Sequence, residues 1–92
     1  MSTPPPPCEH LIAVAGEAPP VRTDGCETCL VLDMDWVHLR QCLVCGRVGC
    51  CDDSPGRHAT VHFLHVGHET IRSLEPGETW RWCFVDEVDA DS

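Results

Sequence analysis

The chain has 92 residues, 42% of them apolar but only 5% aromatic, and a polypeptide this short buries only about 60% of its unfolded surface. One domain is therefore expected, with an apolar core too small to hold it alone. Six Arg, no Lys and 15 acidic residues give a net charge of −9, which counts against nucleic-acid binding because phosphate is met by Lys and Arg.

No apolar run reaches the roughly 18 residues of a membrane helix, and no basic-plus-apolar N-terminus marks a secretory leader. A cytoplasmic protein is expected. Residues 1–7, with Pro4 to Pro7, read as a proline-rich lead-in that does not pack. Cys8-Glu9-His10 is followed by a short apolar stretch, Leu11 to Val14, and residues 16–25 read as loop. A strand is expected at 35–40, entering Cys42-Leu43-Val44-Cys45-Gly46, where Gly46 is free to take positive φ. Ser54 as N-cap and Pro55 as first residue predict one main helix over about 55–66, with Gly67 as its C-cap. Strands are expected over 71–74 and 79–85, joined by a type II turn at Glu75-Pro76-Gly77-Glu78. The acidic segment 86–92 is expected to fray. The sum is a small α+β domain, a three- to four-stranded antiparallel sheet packed with one main helix.

Eight Cys and six His leave two broad readings, a disulfide scaffold or a metal domain. Spacing decides between them. Cys26-Glu27-Thr28-Cys29 and Cys42-Leu43-Val44-Cys45 are CxxC pairs, which let two thiolates chelate one tetrahedral ion. Four His crowd downstream, at 58, 62, 65 and 68, and disulfides have no use for them. A redox CxxC would not come in duplicate with such a cluster behind it. Structural zinc is the reading. Two CxxC pairs and the CxH pair at Cys8 and His10 make three half-sites, hence three ions of four donors each. His58 and His62 share a helix face. Cys83 needs partners from elsewhere, for which Cys8 and His10 are the candidates. Donor counting leaves open which groups share an ion.

The succession Cys26, Cys29, Trp36, Cys42, Cys45-Gly46, Cys50, His58-Ala59, His62, Gly67-His68 and Trp82-Cys83 resembles the UBP-type zinc finger. This is the ubiquitin-C-terminus-binding module of several deubiquitinases, and the chain most resembles its small stand-alone bacterial members. The resemblance spans about residues 8–88, leaving 89–92 as an acidic tail. It implies one zinc on Cys26, Cys29, Cys50 and His58, and an interleaved one on Cys42, Cys45, His62 and His68. A third is implied on Cys8, His10, Cys83 and Asp86, where Asp86 stands in a position that is Cys in three-zinc members. A carboxylate completes a zinc site at about 2.0–2.2 Å. Cys51 then remains as a small buried thiol or a substitute for Cys50. His65 and His38 are expected to be ordinary surface and strand residues.

Twelve donors for three ions leave no open coordination position, and no HExxH or deaminase pattern is present. The chain is expected not to be an enzyme. The resemblance implies a binding module with an aromatic pocket at Trp82 and Phe84 and an Arg shortly after Cys50 that clamps a ubiquitin carboxylate. Here Asp52 and Asp53 stand in that region. An acid repels an incoming carboxylate, so ubiquitin binding is expected to be weak or absent, and a different protein or peptide partner is expected. A zinc- or thiol-redox-responsive regulator is the second reading, resting on Cys51.

Overall fold

The structure, a computed structural model, describes residues 8–14 and 16–91; the lead-in expected at 1–7 lies outside the described residues. Eight elements follow in chain order: α1 Glu9–Ala13, α2 Glu27–Leu32, β1 Leu39–Cys42, β2 Val48–Cys50, α3 His58–Val66, β3 Thr70–Ser73, β4 Trp80–Cys83 and β5 Val88–Asp91. The strands form one sheet in the order β2-β1-β3-β4-β5, with every neighbouring pair antiparallel. The class is α+β as expected, but the sheet has five strands.

Two strands escaped the sequence reading for separate reasons. Three-residue β2 is too short to display a period of two. The strand β5 lies in the acidic segment expected to fray, whose residues have low strand propensity. It is held by pairing with β4, with Trp80 opposite Asp91 and Trp82 opposite Asp89. The first strand also begins later than expected, at Leu39 rather than 35.

The main helix starts at His58, not at Pro55. Ser54 does not cap it; its buried hydroxyl instead accepts the Val37 amide at 2.8 Å. The Cys50 thiol takes the cap's task, accepting the His58 amide at 3.2 Å, one of the donors that a helix start leaves free. Gly67 closes the helix in the left-handed region at φ 76°, its amide bonding Phe63 O. The turn before β4 is also as expected, with Gly77 at φ 82° and the Glu78 amide on Glu75 O at 3.1 Å.

Side chains alternate across a strand, so register assigns every sheet residue to a face. Arg40, Ile71, Trp80 and Trp82 share one face, the side on which α3 lies over β2 and β1. Leu39, Val48, Cys50 and Cys83 share the other, where α2 meets β2 and α1 meets β4. Helix and strand touch backbone to backbone at Gly49, where a Cβ would stand 2.7 Å from the Ala59 amide nitrogen. Gln41 is fully buried and ties a loop to the sheet. Its Nε2 donates to Pro19 O and Pro20 O, and its Oε1 accepts from Arg72 Nε at 2.7 Å.

Six of the eleven buried apolar residues among the described residues are cysteines; the others are Leu11, Leu43, Val48, Ala59 and Ile71. The interior is therefore mostly sulfur, with little hydrocarbon to bury. Because Ala59 backbone cannot retreat from Gly49 without moving α3, Gly49→Ala should cost roughly 1–3 kcal/mol. Denaturant unfolding of the zinc-loaded protein checks this.

Candidate metal centres and an adjoining cavity

Each CxxC pair sits at a turn that points amide groups at sulfur. The Cys29 amide donates to Cys26 Sγ at 3.4 Å and the Cys45 amide to Cys42 Sγ at 3.5 Å. The same geometry recurs after β4, where the Asp86 amide donates to Cys83 Sγ at 3.4 Å. Asp86 thus occupies the second position of a third knuckle, the place a cysteine holds in the other two.

The fold gathers the twelve expected donors into three groups of four, the ligand atoms of each lying within 4.8 Å of one another. Cys26, Cys29, Cys50 and His58 form the first, between α2, the end of β2 and the start of α3. Its Sγ to Nδ1 separations from His58 are 3.3, 3.2 and 3.5 Å, and Cys29 and Cys50 Sγ are 3.8 Å apart. Tetrahedral zinc with S at about 2.3 Å and N at about 2.0–2.1 Å requires edges of about 3.8 Å for S–S and about 3.5 Å for S–N. The cluster fits the ion. Trp36, Met34 and Leu39 pack against its thiols.

Cys42, Cys45, His62 and His68 form the second group, on the α3 side of the sheet. Cys42 Sγ is 3.6 Å from His68 Nδ1 and Cys45 Sγ 3.4 Å from His62 Nε2, again tetrahedral edges. His58 and His62 enter neighbouring groups from one helix, because four residues apart they project side by side.

Cys8, His10, Cys83 and Asp86 form the third, joining α1 to the turn after β4. Cys83 Sγ lies 3.4 Å and Cys8 Sγ 3.8 Å from His10 Nδ1. Cys8 Sγ to Asp86 Oδ2 is only 2.8 Å, shorter than the roughly 3.6 Å edge of two ligands on one ion. It is a thiol donating to a carboxylate, a bond that thiolate coordination would replace. This group fits zinc in donor type and less closely in spacing.

Burial works against a bare thiolate at two of these donors. Burial and the hydrogen bonds of Cys26 and Cys50 push the Cys29 thiol up to about 12, and burial raises Cys42. His62 is lowered by burial and by His68 beside it, which favours the neutral imidazole that metals bind. Asp86 is lowered by the bonds it accepts from Cys8 and His10.

Beside these centres lies a cavity of about 380 Å³. Trp82, Phe84, Asp52 and Asp53, the four residues singled out in the sequence, all line it, together with Arg40, Trp80 and Asp89. Trp80, Trp82 and Phe84 are in phase on one face, and Phe84 stacks on Phe63 of α3 at 4.7 Å and 9°. The sequence reading missed Arg40 and Asp89, which the sheet brings in from β1 and β5. Arg40 is already engaged, with its guanidinium 4.5 Å from the Trp80 ring centre and 3.9 Å from Glu78. Neither Arg47 nor Arg57 lines the cavity; Arg47 bonds Thr28 and lies 4.0 Å from Glu27.

Three outcomes are expected. A structural zinc site contributes about 10–16 kcal/mol, as much as the whole net stability of a domain, about 5–15 kcal/mol. A strong chelator should therefore abolish near-UV circular dichroism and NMR dispersion, and a dispersed spectrum after complete metal removal would contradict this. Cys42→Ala and His62→Ala should disrupt the fold far more than Asp86→Ala, as followed by thermal unfolding of each variant. Zinc loading near pH 7 should also release protons, about five from the five thiols of the first two groups. Calorimetry in buffers of different ionisation enthalpy reads that number.

Comparison with protein families matches residues 26–92 to the zinc finger found in ubiquitin hydrolases and other proteins. Among curated proteins no match was found. A solved structure, the solution NMR structure of protein RPA1320 from Rhodopseudomonas palustris, is 49% identical with a TM-score of 0.77. That likeness covers 99% of this chain and 84% of the other. With three knuckles, the clustered donors and a family match over most of its length, the chain belongs to the UBP-type zinc-finger family and binds zinc.

Proposed function

We propose that this chain is a non-catalytic protein-interaction module. In this reading three structural ions hold it: one on Cys26, Cys29, Cys50 and His58, one on Cys42, Cys45, His62 and His68, and one on Cys8, His10, Cys83 and Asp86. Four protein donors for each ion leave no position for a substrate or a reactive water.

The observation that carries the binding role is the joint placement of Trp82, Phe84, Asp52 and Asp53 around one cavity. An aromatic floor with a few polar groups is the usual make-up of a ligand site. Its charge selects the ligand. Three aspartates line it, and the one arginine is occupied by Trp80 and Glu78. These aspartates are exposed, so each repels an incoming carboxylate by about 1 kcal/mol or less after solvent screening, a few-fold in affinity, and the three act in the same direction. Attraction of the same size favours a cationic group over the indole faces. The partner of this reading is a peptide carrying Arg or Lys, and the free carboxyl end of a ubiquitin-like tail is disfavoured.

The redox-responsive reading is the less well supported. Its thiol, Cys51, is only 7% exposed and lies 3.5 Å from Ser54 Oγ, a poor setting for an oxidant to reach.

Tryptophan fluorescence and calorimetry with two peptides test the proposal. An Arg-containing peptide with a blocked C-terminus should bind, and Trp82→Ala should weaken it at least tenfold. A peptide ending in a free Gly-Gly carboxylate should give no heat, and replacing Asp52 and Asp53 by Arg should reverse the preference. Tight binding of the Gly-Gly peptide by the unaltered protein, with none of the cationic one, would overturn the charge argument.

A further inference from the structure

We propose that His38, Cys51 and Asp53 form a fourth cation site, separate from the three four-donor groups, that takes zinc reversibly. The ladder between β1 and β2 runs one step beyond the strands. Leu39 pairs with Cys50, and the Cys51 amide then donates to His38 O at 3.0 Å. Alternation sends consecutive residues to opposite faces. Cys50 therefore turns to the first zinc group and Cys51 to the cavity face, opposite His38. A tight turn follows, closed by the Ser54 amide on Cys51 O at 3.0 Å, and it brings Asp53 back beside Cys51.

The three donor atoms lie within 4.8 Å of one another. Imidazole, thiolate and carboxylate together suit a borderline-soft divalent ion such as zinc, and suit magnesium or calcium poorly because those favour all-oxygen shells. Glu75 Oε1 stands 3.8 Å from His38 Nε2, adding a further negative charge beside the site. The chain's charge of −9 raises the local cation concentration.

Affinity follows from the same geometry. His38 and Asp53 are exposed and free to rotate, whereas Cys51 is buried. With three protein ligands in place of four, the remaining position goes to water. This ion loads last and leaves first. Cys51 and Asp53 also line the cavity, so occupancy cancels the Asp53 charge on its wall: the ion's two positive charges balance one thiolate and one carboxylate.

Native mass spectrometry of the folded protein in excess zinc, before and after a weak chelator, provides the test. The unaltered protein should carry one ion more than either His38→Ala or Cys51→Ser, and the weak chelator should remove that one ion while the fold persists. His65→Ala, an exposed histidine of α3 outside every donor group, should keep the full count. Cobalt added after the weak chelator has removed that last zinc ion should give a thiolate charge-transfer band that is absent in Cys51→Ser. Equal counts in the unaltered protein and both variants would overturn the proposal, whether the extra ion persists in all of them or appears in none.

Discussion

Zinc–thiolate coordination is the constraint on which everything else in this domain rests. A chain of 92 residues with cysteine as its main buried apolar residue cannot offset the conformational entropy of folding by hydrophobic burial alone. Each four-donor group ties separate elements together: α2 to α3 through the end of β2, the β1–β2 turn to α3, and α1 to the end of β4. The burial that would be costly for a bare thiolate becomes useful once a cation is present. The raised thiols show how poorly this interior holds negative charge without one.

The sheet's role is to distribute these groups without collision. Register sends Cys42 to the α3 side and Cys50 and Cys83 to the other, so three four-donor groups sit around one thin sheet. The same alternation leaves a strip of Arg40, Trp80 and Trp82 that no helix covers completely. The cavity is a by-product of short helices on a five-stranded sheet. Its acidic rim comes from Asp52, Asp53 and Asp89, none of them a donor in the three four-donor groups, and the turn bearing Asp52 and Asp53 links Cys50 to the helix carrying His58.

Charge sets this member apart from the ubiquitin-binding chemistry that the family resemblance implies. The aromatic ring positions are kept at Trp82 and Phe84, yet aspartates stand where the carboxylate clamp would be. An arginine does line the cavity, but it belongs to β1 and is spent on an indole face and on Glu78. In the proposed reading the acidic lining favours a cationic partner on the family's scaffold.

By itself the sequence determined the local half-sites. CxxC spacing, the i, i+4 pair His58 and His62, the glycine at Gly67 and the Pro76-Gly77 turn are each fixed within a few residues, where short-range sterics and ligand reach decide the outcome. The in-phase placement of Trp80, Trp82 and Phe84 was legible for the same reason. Tertiary structure alone decided what depends on register and on distant partners. The pairing of Cys50 with the His58 amide moved the helix start from Pro55 to His58, since a thiol eight residues ahead supplied the cap that Ser54 was expected to provide. Residues 88–91 became a strand because β4 offered a free edge, although Asp89, Ala90 and Asp91 have low strand propensity. His38 met Cys51 only through the β1–β2 ladder. Contacts between remote residues depend on topology, and local spacing carries no record of it.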